Sequence, residues 1–462
     1  VSARIRFSPR LAIAVALVLV TATLGVVIGI GPFSRAERSA LTGRAAPPAT
    51  AARPDPAAAT LPDAPVSSVR PACIPDPTLA QPASAPSSSL AGAFGAFLGD
   101  PTVMSHRTSA SVWVDGWGEV LSHEPDLALA PASNEKIFTA MGALAVLGAE
   151  ARLSTALRWG AAGDLVVAGG GDATLTSEGP HSLAALADQL VARGVSTVPG
   201  ALVVDETRHD GERRARAWQD WQIPAHTGPL SALMVDRNRW RADPAFLADP
   251  ALANADLLRR ALAGRGVAVN GPTVYATAPV VGTMVATLTS APLGELVRDM
   301  LQRSDNQIAD LLLKEIGYAA TGSGSMANGA AAATAALAPL CIPLTGVADD
   351  GSGLSRGNAR SAREWRSMLQ AARTQPWWPT FSDALALAGR SGTLAGRFHG
   401  TAAEDNVRAK TGTIIGGAAL SGYGTTAGGR AFVFSIIVNG PGAEASAGAI
   451  DSLVSALARE PG

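Results

Sequence analysis

The chain has 462 residues, enough for two or three domains, and its 37 basic and 38 acidic residues give a formal net charge of -1. No cationic excess is present to neutralise phosphates, which excludes a general nucleic-acid or polyanion binder. Two cysteines, far apart in sequence, exclude a cysteine-built zinc knuckle.

Residues 11–30 are twenty consecutive residues without a charge, preceded by Arg4, Arg6 and Arg10. A helix of that length just reaches across a hydrocarbon core of about 30 Å, whereas the apolar part of a cleavable signal is shorter, about 7–15 residues. Residues 1–32 therefore read as an N-terminal membrane anchor, with a cleaved signal as the alternative. Arg35, Arg38 and Arg44 follow closely, so arginines do not settle the orientation. Residues 45–89 hold eleven prolines among alanines and serines. Such a composition builds no core, and residues 33–89 read as an extended Pro/Ala-rich stalk. Cys73 lies in the stalk and Cys341 in the globular part. The two form either a bridge, in an oxidising compartment, or two separate thiols.

The globular region starts near Leu90. Helices are expected at 133–147, 183–193, 256–263, 293–303 and 307–316. A hairpin is expected at 156–171, a strand at 407–415, and a second hairpin from 418–424 and 431–438. The tail, 443–459, places Ile450, Leu453, Val454 and Leu457 on one helical face. The alanine-rich stretch 330–338 reads as a small-residue packing helix.

Only three of the basic residues are lysines: Lys136, Lys314 and Lys410. Where any cation serves, this chain has Arg, so a surviving Lys marks a place for an amine that can lose its proton. None follows a Gly, so no P-loop exists. His123-Glu124 lacks a second histidine at Leu127, so there is no His-Glu-x-x-His zinc site.

Two of the three lysines sit in short motifs. In Ser133-Asn134-Glu135-Lys136, helical spacing brings the hydroxyl and the amine to one face. The amine can take the serine proton only if its neutral form is stabilised. The bland reading is a solvated lysine. In Lys410-Thr411-Gly412-Thr413, a cation with hydroxyls beside it suits a carboxylate, and Gly412 leaves room for a substrate backbone. An edge strand guarded by a lysine is the alternative. A third motif, Ser304-Asp305-Asn306, offers a hydroxyl and an amide at a helix junction, or simply an N-cap.

Taken in order, the three motifs resemble the active site of the penicillin-recognising serine acyl transferases, the penicillin-binding proteins and β-lactamases. Ser133 and Ser304 are 171 residues apart and Ser304 and Lys410 are 106 apart, so the first gap implies an inserted domain. Further strings resemble the D-Ala-D-Ala carboxypeptidase/endopeptidase family of class C (low-molecular-mass) penicillin-binding proteins. They are Pro131-Ala132-Ser133 leading to Lys136 and Thr139, Gly169 through Leu175, Pro229 through Leu233 with Arg237-Asn238, and Asp350 through Ser355. The resemblance runs from about residue 90 to the C-terminus. A deacylating Glu-x-x-x-Asn loop is missing, because Glu315, Glu364 and Glu404 precede Ala319, Met368 and Arg408 at that spacing. A β-lactam acyl-enzyme is expected to persist.

The resemblance implies a mixed α/β fold. A transpeptidase domain with a five-stranded, mostly antiparallel sheet and helices would comprise residues 90–150 and 285–462. Residues 151–284 would form an inserted, strand-rich domain. It also implies a serine D-alanyl-D-alanine carboxypeptidase acting on peptidoglycan stem peptides, with endopeptidase or transpeptidase activity through the same acyl-enzyme and β-lactams as inhibitors. Ser133 would be the nucleophile, Lys136 the base, and Ser304, Asn306 and Lys410 the remaining catalytic groups. Thr411, Gly412 and Thr413 would bind the terminal carboxylate, and Arg356 a side-chain carboxylate of the substrate, such as that of diaminopimelate. No metal or cofactor is required. The location would be extracytoplasmic, in the cell envelope or periplasm, with the membrane engaged through the N-terminal segment. Two rival readings are a non-catalytic cell-wall scaffold on the same fold and a β-lactamase-like or α/β-hydrolase-like serine hydrolase. For the latter, Gly353-Leu354-Ser355-Arg356-Gly357 supplies a Gly-x-Ser-x-Gly string, but a loop precedes it where an elbow needs a strand.

Overall fold

The computed structural model describes residues 87–238 and 248–461. Its first block holds helix α1 (Ser88–Leu98), strands β1 (Arg107–Val114), β2 (Gly118–His123) and β3 (Ala128–Leu129), and helix α2 (Glu135–Val146). The second holds β4 (Ser154–Trp159), β5 (Leu165–Ala168), α3 (Leu183–Val191), β6 (Thr197–Val198), β7 (Leu202–Asp205), α4 (Pro250–Ala263), β8 (Ala268–Val269), β9 (Thr273–Tyr275) and β10 (Thr283–Thr289). The third opens with α5 (Leu293–Arg303), α6 (Asn306–Thr321) and α7 (Met326–Leu337). It continues with β11 (Arg360–Ser361), α8 (Ala362–Ala372), α9 (Trp378–Ala384), β12 (Ala386–Leu387), β13 (Arg408–Ile414), β14 (Gly417–Thr425), β15 (Ala431–Asn439) and α10 (Ala447–Arg459).

The first and third blocks meet in one antiparallel sheet, ordered β12-β13-β14-β15-β1-β2. Five long strands match the expected number, β13, β14 and β15 at the expected places, while β1 and β2 have no counterpart among the expected elements; the sixth strand is a two-residue edge. Strand β15 is central, and its residues alternate between two apolar layers. Phe432, Phe434, Ile436 and Val438 pack with Leu90 and Phe97 of α1 and with Ile450, Leu453 and Val454 of α10. Val433 and Ile437 face the opposite layer, which contains residues of α2, α5, α6 and α8. Burial on both faces explains why β15 reads as a nearly unbroken apolar run. The alanine-rich helix α7 packs closely, with Ala333 directly against Gly142 of α2.

The middle block forms a second sheet, ordered β10-β4-β5-β7-β9, with its own apolar cluster that includes Leu186 and Leu190 of α3 and Leu258 and Leu262 of α4. The β4–β5 hairpin is antiparallel, whereas β5, β7 and β9 run parallel. Strand β10 pairs with β4 as far as Thr289, so the expected limit at residue 284 falls inside a strand of this sheet. The expected anchor lies outside the described residues, as does the expected stalk up to residue 86; α1 starts at Ser88, capped by Ser87, so the globular part begins before the expected stalk limit of residue 89. Among the described residues no helix is long and apolar enough to cross a membrane. Cys341 is disulfide-bonded; the other cysteine, Cys73, lies outside the described residues.

Candidate active site

Ser133 sits half-buried in a 3-10 turn, Ala132–Asn134, that runs into α2. The side chain of Asn134 ties this turn to the sheet, donating to Ser421 Oγ at 2.7 Å. The turn has almost no space above it: a Cβ on Gly353 would lie 1.8 Å from the Ala132 carbonyl oxygen. Gly353 also has φ +79, which a side chain disfavours. The string that suggested a hydrolase elbow thus supplies a lid over the Ser133 turn. Ser355 itself donates to Asp349 Oδ2 at 2.5 Å, and His399, the histidine weighed as its partner, bonds Glu404 instead.

One turn after Ser133, Lys136 is fully buried, and its Nζ donates to Ser133 Oγ at 3.0 Å, Asn306 Oδ1 at 2.8 Å and the Ser352 carbonyl at 2.5 Å. Burial pushes its pKa down to about 8, against the opposing pull of Asp310, Asp350, Asp305 and Glu135. An amine poised there is neutral in a useful fraction near pH 8, which a guanidinium never is.

The Ser304-Asp305-Asn306 motif fills both roles weighed for it. Asp305 is the N-cap of α6, accepting from Ile308 N at 2.9 Å, while its neighbours face the two lysines. Ser304 ends α5 in the left-handed region at φ 58 and accepts from Lys410 Nζ at 3.0 Å. Asn306 accepts from Lys136 and donates to the His226 carbonyl at 2.9 Å, which fixes its amide orientation. Lys410 is fully buried and also donates to the Thr411 carbonyl at 2.8 Å; burial and the Lys136 charge hold its pKa well below the usual lysine range.

Strand β13 pairs with β14 along its length but with β12 only at Arg408 and Ala409, leaving the edge from Lys410 onward open on that side. Thr413 is exposed there, and Thr411 Oγ1 bonds Thr393 Oγ1 at 2.8 Å. Gly412 is needed for packing: a Cβ would lie 2.6 Å from the Pro131 carbonyl oxygen. A cavity of about 280 Å³ beside Thr413 is lined by Trp221, His226, Leu354, Arg356, Ile415 and Glu444. Arg356 Nη2 donates to the Ile415 carbonyl at 2.7 Å, placing the guanidinium at this cavity and not in the Ser133–Lys410 cluster.

The glutamates weighed as deacylating bases are engaged elsewhere. Glu315 takes Arg208 Nε and His209 Nε2 at 2.8 and 2.7 Å; burial pushes its carboxyl up, but those bonds hold it below the usual range. Glu364 bonds Arg360, and Glu404 bonds His399 and Gly400 N. Lys314, the lysine outside the motifs, is buried and bonded to Asp210 and to the Glu212 carbonyl. Sequence reasoning missed the Ser352 and His226 carbonyls and Thr393. Among the described residues no cluster of His, Cys, Asp and Glu suits a metal.

Buried amines on two hydroxyls, at the open edge of a helix-covered antiparallel sheet, suit the serine acyl transfer of the penicillin-recognising enzymes. Comparisons with known proteins agree. The profile of the D-Ala-D-Ala carboxypeptidase 3 (S13) family matches residues 98–245 and 244–460. The D-alanyl-D-alanine carboxypeptidase of an Actinomadura species is 32% identical over 475 residues, covering 84% of this chain and 87% of that protein. Carboxypeptidase DacB of Mycolicibacterium smegmatis is 31% identical, covering 80% of this chain and 83% of that protein. Penicillin binding protein 4 (dacB) of Haemophilus influenzae shares the fold, with TM-score 0.69 at 22% identity over 76% of this chain and 93% of that one. The chain belongs to the D-Ala-D-Ala carboxypeptidase S13 family and is a serine-type carboxypeptidase.

Proposed function

We propose that Ser133 is the nucleophile of a D-Ala-D-Ala carboxypeptidase acting on peptidoglycan stem peptides, with Lys136 as its base. The observation that carries this reading is the 3.0 Å bond from a buried Lys136 Nζ to Ser133 Oγ. Ser133 Oγ attacks the carbonyl carbon between the last two D-alanines, and Lys136 takes its proton. Backbone N–H groups of Ser133 and Thr413 stabilise the oxyanion. Ser304, bonded to Lys410, passes a proton to the departing amine. Water then hydrolyses the acyl ester and releases the shortened peptide.

The open edge of β13 receives the substrate backbone as an added strand, with Asn306 on its amide. Lys410, Thr411 and Thr413 take the terminal carboxylate. Arg356 takes a side-chain carboxylate of the substrate in the adjoining cavity. β-Lactams acylate the same serine. Cross-linked peptides give endopeptidase activity, and an amine acceptor gives transpeptidation, through the same intermediate. Residues 1–32 anchor the protein, the stalk to residue 86 spaces it from the membrane, and an inserted domain runs from residue 151 to about 289. The substrate fixes the outer face of the membrane as its location.

A fluorescent penicillin should label the purified protein covalently and fail to label Ser133→Ala. Labelling that survives Ser133→Ala but disappears in Ser355→Ala would move the nucleophile. Product masses from cross-linked muropeptides separate carboxypeptidase from endopeptidase activity.

A further inference from the structure

The turn that carries Ser304 and Asn306 is a joint between two helices. Ser304 ends α5 in a left-handed conformation, and Asp305 begins α6 as its cap. A small change of angle at this joint would take Ser304 away from Lys410 or Asn306 away from Lys136. One guanidinium from the middle block spans it. Arg237 donates through Nη1 to Asp305 and through Nη2 to Asp299 Oδ2 at 3.0 Å. Asp299 lies on α5, so the two carboxylates belong to opposite sides of the joint. Asp305 is only 3% exposed and Asp299 24%. The other oxygen of Asp299 takes Arg303 Nε at 2.7 Å.

The backbone around Arg237 is held in an unusual state to make this reach. Asp236, Arg237 and Asn238 have φ of 50, 56 and 51, all in the left-handed region that non-glycine residues avoid. The Asn238 side chain locks the segment by donating to the Pro229 carbonyl at 2.8 Å and accepting from Asn254 at 2.9 Å.

We infer that Arg237 is a positioning residue for the reaction, its guanidinium clamping α5 to α6 so that Ser304 meets Lys410 and Asn306 meets Lys136. This rests on the roles given to Ser133 and Lys136 above. A planar fork can serve two carboxylates at once, whereas an ammonium is a single point of charge. The clamp also has an electrostatic effect. Lys136 feels the carboxylates of Asp310 and Asp305 on α6, Asp350 in the loop above it and Glu135 on its own helix, and Lys410 faces it from β13. Arg237 offsets the charge of Asp305. Without that cation, Asp305 would hold the proton on Lys136 more strongly, and acylation would begin at higher pH.

The test measures the rate of acylation by a fluorescent penicillin against pH, per folded molecule, in the full chain. Arg237→Met should be about tenfold slower at pH 7, with its onset moved up by about half a unit or more. Arg237→Lys should be slowed about threefold or more with the onset unmoved, because it keeps the charge and loses the fork. Asp299→Asn should likewise be slower with the onset unmoved or lowered. A merely structural role would lower the melting temperature and the folded fraction but leave rate and onset alone. Arg237→Met within twofold of the parent, with the same onset, overturns the clamp. Should Arg237→Met fail to fold, rates within twofold for both Arg237→Lys and Asp299→Asn overturn it equally. A parent protein that is not labelled at Ser133 refutes the proposed function instead.

Discussion

Lys314 Nζ donates to Asp210 Oδ1 at 2.5 Å, joining the helix that begins at Asn306 to the middle block of the chain. The next residue, Glu315, receives Arg208 and His209 from that block, and Arg208 lies over the Tyr318 ring at 4.0 Å. This part of α6 is a structural seam, and the N-terminal end of the same helix holds the proposed catalytic group Asn306. Lys314→Met should therefore lower stability by about 1–3 kcal/mol, less than a fully buried pair, because Asp210 is 27% exposed. Acylation per folded molecule should stay within about twofold of the parent. Thermal unfolding beside penicillin labelling checks this, and a slowed rate in the folded fraction would assign Lys314 to the chemistry.

As the proposed base, Lys136 must be neutral to accept the serine proton. With its pKa near 8, the acylation rate should climb with pH, pass half-maximum near pH 8 and level off above it. Lys136→Arg should lose at least about 100-fold, because its replacement cannot deprotonate. A Lys136→Arg protein that reacts at the parent rate would remove lysine from the mechanism.

Glu135 lies inside the first motif yet faces away from the chemistry. Burial pushes its carboxyl up to about 7, although Arg360 Nε, 3.3 Å from Oε1, pulls the other way. The folded state thus binds this proton more tightly than the unfolded chain does. Its contribution to stability is complete below about pH 4.5 and is lost as the pH rises through about 7. Glu135→Gln should flatten stability across that window in denaturant titrations. An unchanged slope would mean that Glu135 is ionised in the folded protein.

Gly353→Ala tests the lid over the proposed nucleophile. The added methyl meets the Ala132 carbonyl, and the backbone is already at φ +79. Stability should fall by about 1–3 kcal/mol and acylation by about tenfold, since the carbonyl belongs to the residue before Ser133. Unfolding midpoints and labelling rates together decide it; an unaffected rate would show that the turn is not held from above.

What could be read from the sequence was local or type-specific. The three-residue spacing of Ser133 and Lys136 needs only a helix, and α5 spans the residues its apolar periodicity predicts. Helix α4 begins earlier than expected, although Asp249 as cap and Pro250 in the first turn were visible signals. Helix α6 runs on to Thr321 and stops at Gly322, φ 76, another signal in plain sight. Other features have no residue-type signature. The Ser352 and His226 carbonyls are backbone acceptors that any sequence would supply. The parallel pairing of β5 with β7 and the reach of Arg237 to Asp305, 68 residues away, are set by tertiary folding alone.

All three lysines, Lys136, Lys314 and Lys410, are at most 1% exposed. The folded protein thus offers reagents and proteases no side-chain amine at all, though it carries 34 arginines. Amine-selective esters and lysine-specific endoproteases should find their targets only when the fold opens, so their rates report the opening of the molecule around its own active site. For this chain a lysine footprint is a stability assay, and acylation of Ser133 by a β-lactam should suppress it at Lys136 and Lys410 to the extent that the acyl-enzyme is harder to unfold.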